Sequence, residues 1–138
     1  MSIESIAAAG TRIVPGRLLR SALRLDAAVS AAAGVAYVAA VGPLSSWLEL
    51  PDALLIAAGA VLVVWGAALA YLAQRPAIAP AAVWTVIALN AAWVADSLLL
   101  LAVDGFSPSV AGQVGIAFQA VGVVGFAALQ YLGLRRYS

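Results

Sequence analysis

Four long stretches of the chain consist mostly of apolar side chains, and each is bounded by arginine, proline, glycine or acidic residues. They cover approximately residues 17–42, 51–74, 80–103 and 108–134. The hydrocarbon core of a bilayer is about 30 Å thick, so about 20 apolar helical residues cross it. The pattern therefore predicts an all-α, polytopic membrane four-helix bundle over residues 17–136. Residues 1–16 are predicted to form a short cytoplasmic lead.

The composition narrows the available chemistry. Of 138 residues, 65% are hydrophobic and 9% are charged, and the mean hydropathy is +1.07. A soluble domain, in contrast, carries about 25% charged residues. The chain has no cysteine and no histidine, which excludes disulfides, thiolate catalysis, thiolate zinc sites and imidazole ligands or bases. We therefore expect no metal site, no cofactor and no enzymatic activity.

The basic residues are distributed on one side of the predicted membrane. All seven are arginines, and they lie before or within the first turns of the first span, between the second and third spans, and after the fourth. The two opposite connections contain Glu49, Asp52 and Asp104 but no basic residue. Because cytoplasmic loops carry the excess of positive charge, this pattern predicts a multi-pass protein of the plasma (inner) membrane with both termini cytoplasmic.

Three arginines at the start of the first span share one helix face. Arg17, Arg20 and Arg24 follow the spacing i, i+3 and i+7. Such side chains extend toward the membrane surface, so we expect contacts with lipid head groups. The predicted partners are therefore membrane lipids rather than a nucleic acid.

Part of the chain matches a later part of itself. Twelve of twenty positions are identical between residues 56–75 and 116–135, and Asp26 aligns with Asn90 in a weaker match of the first and third spans. The identical positions include the pairs Tyr71/Tyr131 and Arg75/Arg135. We interpret the bundle as a tandem duplication of a two-helix hairpin, with a symmetry axis along the membrane normal.

Asp26 is predicted to lie inside the inner leaflet. Only sixteen uncharged residues separate it from Pro43, which is roughly 24 Å of helix and less than the hydrocarbon thickness. Its carboxyl group points away from the arginine face and needs a partner on another helix. The repeat favours Asn90 as that partner, with Gln130 as the next candidate.

Asp96 is the only charged residue between Pro80 and Val103. An aspartate near the middle of a transmembrane helix costs about 2.5 to 3.5 kcal/mol on insertion scales, so it normally faces the bundle interior. Gln119 on the fourth span lies at nearly the same depth and is a candidate hydrogen-bond partner, with Ser97 and Trp93 close by. Two interpretations remain open: a neutral acid that joins helices, or an acid that binds a ligand or couples to protons.

Small residues recur on the fourth span. Gly112, Gly115 and Gly122 share a row with Gln119, which predicts close approach of a neighbouring helix backbone. Any part of the row left over after packing within the chain would suit a homo-oligomer or a membrane protein partner.

Three segments carry a resemblance to a known group of proteins. They are Leu-Arg-Leu-Asp-Ala-Ala at 23–28, Ala-Leu-Asn-Ala-Ala-Trp-Val-Ala-Asp-Ser at 88–97, and Phe-Ala-Ala-Leu-Gln-Tyr-Leu at 126–132. In these segments the chain resembles small four-span integral membrane proteins of actinobacteria that have no assigned activity. The resemblance implies the four-span architecture and no mechanism.

Together these features favour a non-enzymatic integral membrane protein. Its four-helix bundle is expected to bind a lipid, a quinone-like small molecule or a membrane partner. The alternative is a small proton-coupled transporter that acts as a homodimer, since four helices barely enclose a pathway alone. In that case Asp96 is the coupling acid.

Overall fold

Five helices make up the part of the chain that the computed structural model describes, residues 12–103 and 107–136. They are α1 (Arg17–Ala39), α2 (Val41–Leu48), α3 (Asp52–Gln74), α4 (Pro80–Ala102) and α5 (Val110–Arg135). All except α2 are long and apolar enough to cross a membrane. The predicted all-α four-helix membrane bundle is therefore confirmed.

Local signals in the sequence account for where these helices begin. Asp52 lies in the first turn of α3, where a negative charge interacts favourably with the helix dipole. Pro80 starts α4. A backbone N–H at this position would have no acceptor within the helix, so proline costs no hydrogen bond there. Ser109 caps α5 by accepting a hydrogen bond from the Gly112 N–H at 3.1 Å, as N-cap serines do.

The first predicted span needs a correction at its C-terminal end. Helix α1 stops at Ala39, and the Gly42-Pro43 pair that was expected to end it lies instead inside α2. Pro43 is tolerated there because it sits in the first turn, where backbone N–H groups have no helical acceptor. Helix α2 ends at Leu48, and the next residue, Glu49, adopts the left-handed conformation with φ of 53°.

Helices α1 and α3 pack closely because glycines face each other at their crossing. A Cβ atom added to Gly34 would lie 2.6 Å from the carbonyl oxygen of Gly59, and one on Gly66 would lie 2.9 Å from the Ala27 oxygen. Neither position has room for a side chain. The small residues of the first hairpin thus hold two helix backbones in direct contact, as small residues do in membrane bundles.

Helix α5 connects the two hairpins. It packs along α4, and near its C-terminal end it meets α1, where a Cβ on Gly133 would lie 2.8 Å from the Cα of Leu19. Over the described residues, the backbones of α1 and α3 make no such contact with α4. The order of packed helices is therefore α3, α1, α5 and α4, with α1 and α5 in the middle.

The bundle is tightly packed at the end that carries the arginines. A core of buried apolar residues from all four long helices closes this end: Leu19, Leu23, Ala27, Leu69, Ala73, Ile78, Val83, Val86 and Leu134. The lead also joins it, because the backbones of Ile13 and Ile78 exchange hydrogen bonds of 2.7 and 2.8 Å. Residues 1–11 of the lead lie outside the described residues.

At the opposite end the core is smaller. Leu50, Leu55 and Ile116 are buried there, and partly buried leucines of α2 pack against them. Between the two cores, the backbone of α4 lies apart from those of α1 and α3 over the described residues, and the space between them contains the polar groups described next.

Candidate functional site: a polar cluster and an open cavity

A buried polar cluster joins three of the long helices. The Oδ2 atom of Asp26 accepts hydrogen bonds from Gln130 Nε2 at 2.7 Å and from Asn90 Nδ2 at 3.0 Å. The Oδ1 atom accepts a third from Ser30 Oγ at 3.0 Å. Asn90 Nδ2 also donates to Gln130 Oε1 at 3.0 Å. The predicted Asp26–Asn90 contact is confirmed, and Gln130 joins the same cluster.

Helical spacing brings these groups together. Ser30 follows Asp26 by one turn of α1 and donates to it, while Asn90 and Gln130 lie on the inner faces of α4 and α5. All four side chains are buried, and Asp26 is only 2% exposed. Burying a carboxyl group is tolerated when donors satisfy its oxygens. The cluster therefore has the properties of a structural joint between α1, α4 and α5.

A second polar group lies on the α4–α5 interface. Trp93 Nε1 donates to Gln119 Oε1 at 2.7 Å, and Gln119 Nε2 donates to Ser97 Oγ at 2.8 Å and to the Ile116 carbonyl oxygen at 3.0 Å. The Nε2 atom of Gln119 thus uses both of its N–H donors. The expected hydrogen bond between Gln119 and Asp96 is not formed, although Trp93 and Ser97 do lie beside Gln119 as expected.

Asp96 is exposed and makes no hydrogen bond or ion pair with residues 12–103 or 107–136. It precedes Ser97 on α4, and adjacent helical residues point about 100° apart. Ser97 and Trp93 face α5 and bond to Gln119, whereas Asp96 lines the same cavities as Gln119 without a hydrogen bond to it. Asp96 therefore lies at the predicted height, but its carboxyl group does not meet the Gln119 amide.

Asp96 faces a cavity of about 640 Å³ in the middle of the bundle. All four long helices contribute to its wall, mostly with apolar and aromatic side chains. Trp65, Trp93, Phe118 and Phe126 supply aromatic surface, and Asp26 and Asp96 supply carboxyl groups. Asp26 and Asn90 form part of this wall, so the polar cluster borders the cavity at one position and Asp96 borders it at another.

The cavity is open to its surroundings. One exposed apolar residue on each long helix lines it: Val29, Val61, Leu89 and Phe118, with exposed fractions of 46%, 55%, 50% and 79%. For a bundle embedded in a membrane, the medium at these positions is lipid. A hydrophobic molecule can therefore reach the cavity from the bilayer.

A second cavity of about 360 Å³ continues toward the acidic end of the molecule. Leu48 and Leu50 line it at that end, while Trp93, Asp96 and Gln119 line both cavities. Toward the arginine end, Leu19, Leu23, Leu69 and Val83 are almost completely buried. The combined space thus extends from the acidic end past Asp96 and stops at the packed core.

The row of Gly112, Gly115 and Gly122 on α5 lines these cavities. Only part of the row packs against another helix. A Cβ on Gly112 would collide with the Leu48 carbonyl oxygen, but a Cβ on Gly115 or Gly122 would meet nothing within 4 Å. Gly115 lines the smaller cavity and Gly122 the larger. The predicted close helix approach holds for Gly112 only, and the other two positions keep space empty.

The three arginines of α1 do not behave alike. Arg17 and Arg24 are exposed, as contact with lipid head groups requires. Arg20 turns inward, where its Nη1 atom donates to the carbonyl oxygens of Ala73 and Arg75. This guanidinium nitrogen caps the C-terminal end of α3. Arg20 is half-buried, and its contact with lipid head groups stays a prediction, as it does for Arg17 and Arg24.

Several cavity residues could not be recognised in the sequence. Trp65 on α3 and Phe118 on α5 look like ordinary membrane-facing aromatics, and Tyr37 lies in an unremarkable part of α1. These residues line the same cavity because α4 lies apart from α3. No local sequence pattern indicates that separation. The only available signal was Phe126, which continues the row of Gly122 and Gln119 by helical spacing.

Fold and site together define an all-α four-helix membrane bundle with an open internal cavity. No protein-family model, curated protein or solved structure matches this chain.

Proposed function

We propose that this protein binds a hydrophobic small molecule, such as a lipid or a quinone-like compound, in the cavity between its helices. In this proposal it is a non-enzymatic protein of the plasma membrane. The observation that carries the proposal is the cavity of about 640 Å³, whose wall comes from all four long helices. Ligand sites typically enclose about 300 to 1,000 Å³, are mostly apolar and contain a few polar groups.

Two features of the wall support a bound ligand rather than unused space. Gly115 and Gly122 leave room that larger residues would fill, and Asp96 presents a carboxyl group without a partner among the described residues. An unpaired carboxyl group in an apolar bundle costs free energy. A ligand that satisfies it would offset that cost.

The proposed orientation has both termini in the cytoplasm. It is supported by the meeting of the start of α1 and the end of α3 at one end of the bundle, where Arg20 bonds to the Arg75 carbonyl oxygen. Arg17 and Arg24 are exposed at the same end. This gathers positive charge on one membrane surface, as expected for the cytoplasmic side.

A duplicated hairpin is proposed as the origin of the fold. Matching tyrosine–arginine pairs support it, since the Arg75 guanidinium lies 5.5 Å from the Tyr71 ring and the Arg135 guanidinium 6.0 Å from the Tyr131 ring. The copies differ where the cavity lies. In the sequence match of 56–75 with 116–135, Gly59 and Gly66 correspond to Gln119 and Phe126, both of which line the cavity. On this proposal, the positions that pack closely against α1 in the first hairpin correspond to positions that line the cavity in the second hairpin.

Native mass spectrometry of protein ejected from membrane-derived nanodiscs tests the proposed binding function. We expect one retained adduct per chain, with a mass that identifies its chemical class. Protein that is ejected without any adduct, under conditions that preserve its fold, would contradict the proposal.

A proton-coupled transporter acting as a homodimer is the second candidate. The observation that favours it is the position of Asp96, which borders both cavities and is therefore accessible along the internal space. This candidate predicts pH-driven uptake of a substrate into liposomes that is lost in Asp96→Asn. Equal uptake by the wild-type protein and the variant would exclude Asp96 as the coupling acid.

A further inference from the structure

We infer that the ligand of this cavity is a lipophilic cation, with its positive charge at Asp96 and its apolar body against the aromatic side chains. This inference rests on the proposed binding function and specifies the chemistry of the ligand. It follows from the charges, the hydrogen bonds and the aromatic residues of the cavity wall.

The charges of the wall have one sign. Among the described residues that line the two cavities, Asp26 and Asp96 are the only ones with a carboxyl group, and no arginine is present. The arginines gather at the opposite side of the packed core. An anionic head group inside the cavity would therefore face carboxyl groups without a compensating cation, while a cationic group would find the opposite charge.

Only one of the two acids needs a partner. Asp26 already accepts three hydrogen bonds, from Ser30, Asn90 and Gln130. Asp96 has none from the described residues, and the nearby Gln119 amide has no free donor because it serves Ser97 and the Ile116 carbonyl oxygen. The ligand charge is therefore assigned to Asp96 and not to Asp26.

Aromatic side chains line the cavity that Asp96 borders. Trp93 lies one turn before Asp96 on α4, and its ring is fixed by the hydrogen bond to Gln119. Trp65, Phe118 and Phe126 line the same cavity from α3 and α5. Aromatic rings attract cations and also bury apolar surface, so one wall accommodates both parts of a lipophilic cation.

The acidic end of the molecule favours the same ligand charge. The smaller cavity begins beside Leu48 and Leu50, which flank the exposed Glu49, and Asp52 is exposed nearby. Carboxylates at the mouth of a low-dielectric cleft raise the local concentration of cations. Carboxyl groups near this end of the smaller cavity and Asp96 on its wall therefore both favour a cation over an anion.

Equilibrium dialysis in neutral maltoside micelles tests the inference with two probes of nearly equal size and opposite charge, tetraphenylphosphonium and tetraphenylborate. Protein-free micelles provide the background for each probe. We expect the wild-type protein to bind the cation at least about tenfold more tightly than the anion, as desolvated cation–aromatic contacts and ion pairing allow. Asp96→Asn should remove this preference, because it keeps the shape of the side chain without its charge.

Two further variants separate the possible failures. Gly122→Leu fills the cavity and should abolish binding of tetraphenylphosphonium, whereas Gly125→Leu, whose Cβ also meets open space but which does not line the cavity, should preserve it. If both probes bind equally and Gly122→Leu weakens both, the cavity binds apolar molecules and only the cation inference is overturned. If neither probe shows binding that depends on Gly122, the inference and the proposed function both fail for these ligands.

Discussion

Asn90 donates a hydrogen bond to Asp26 at 3.0 Å and thereby joins α4 to α1, two helices whose backbones do not touch over the described residues. The contact therefore depends on side chains alone. Because Gln130 bonds to both residues, these amide groups connect α4, which packs along α5, to α1. This joint and Asp96 border the cavity at different positions and share no hydrogen bond, so stability and ligand binding are expected to be separable by mutation.

Replacing Asn90 by alanine should destabilise the protein. The change removes a donor from Asp26 Oδ2 and leaves Gln130 Oε1 without its donor. Leaving buried polar groups unsatisfied costs about 1 to 3 kcal/mol, and interhelical hydrogen bonds in membranes average somewhat less. Reversible unfolding in mixed micelles with increasing fractions of a denaturing detergent measures the loss.

Gln113→Ala is the matched control for that experiment. Gln113 is exposed on α5, and within residues 12–103 and 107–136 its side-chain amide bonds only to the Pro108 carbonyl oxygen, at 3.3 Å. Its removal should change the free energy of unfolding by no more than about 0.5 kcal/mol. Equal effects of the two substitutions would show that the buried cluster does not hold the bundle together.

The two membrane aspartates should respond in opposite ways to replacement by leucine. Asp26→Leu removes the acceptor of Ser30, Asn90 and Gln130, so we expect a loss of about 1 to 3 kcal/mol. Asp96→Leu removes a carboxyl group that has no protein partner in the described part of the chain, and its stability should stay equal or increase. Thermal unfolding followed by circular dichroism compares them, and a large loss for Asp96→Leu would argue for an undetected structural partner.

Adding a methyl group at Gly34 should separate α1 from α3. The new Cβ would lie 2.6 Å from the Gly59 carbonyl oxygen and 2.8 Å from the Val63 backbone nitrogen, both on the opposing helix. Overpacking of this kind typically costs about 1 to 3 kcal/mol. The same change at Gly125 meets nothing within 4 Å, and it should leave the melting temperature unchanged. If Gly34→Ala were as stable as Gly125→Ala, the proposed close crossing would be incorrect.

Arg20→Gln should loosen the connection between α3 and α4. The guanidinium of Arg20 bonds to the carbonyl oxygens of Ala73 and Arg75, and the adjacent Ile78 N–H bonds to the lead. Hydrogen exchange of amides in residues 75–78 should therefore become faster in this variant. Arg24→Gln, which changes an exposed arginine on the same helix, provides the control. Equal exchange in both variants would contradict the capping role of Arg20.

The fold and the polar joint could be anticipated from the sequence for a simple reason. Four apolar stretches of sufficient length have few alternatives to crossing a membrane. Asp26 and Asn90 could be paired because buried polar groups in a bilayer must find one another, and few such groups are available at that depth. Depth along each helix is readable from the sequence at 1.5 Å per residue.

The cavity could not be anticipated, because it depends on rotation and divergence of the helices. Gln119 and Asp96 were expected to meet on the basis of equal depth, yet Gln119 bonds to Trp93 and Ser97. Adjacent residues of a helix point about 100° apart, and this difference in direction decides that Ser97, and not Asp96, bonds to Gln119. Similarly, Gly115 and Gly122 have the small size that close packing requires, but smallness alone does not reveal whether a neighbour occupies the space.

Binding inside the bundle is tested most directly by native mass spectrometry of the wild-type protein beside Gly122→Leu and Gly125→Leu, each ejected from the same membrane-derived nanodiscs. Both variants introduce one leucine into open space on α5, but only position 122 lines the cavity of about 640 Å³. We predict one retained adduct per chain in the wild-type protein and in Gly125→Leu, and none in Gly122→Leu. Equal adduct retention by all three proteins, or no adduct on any of them, would contradict binding in this cavity.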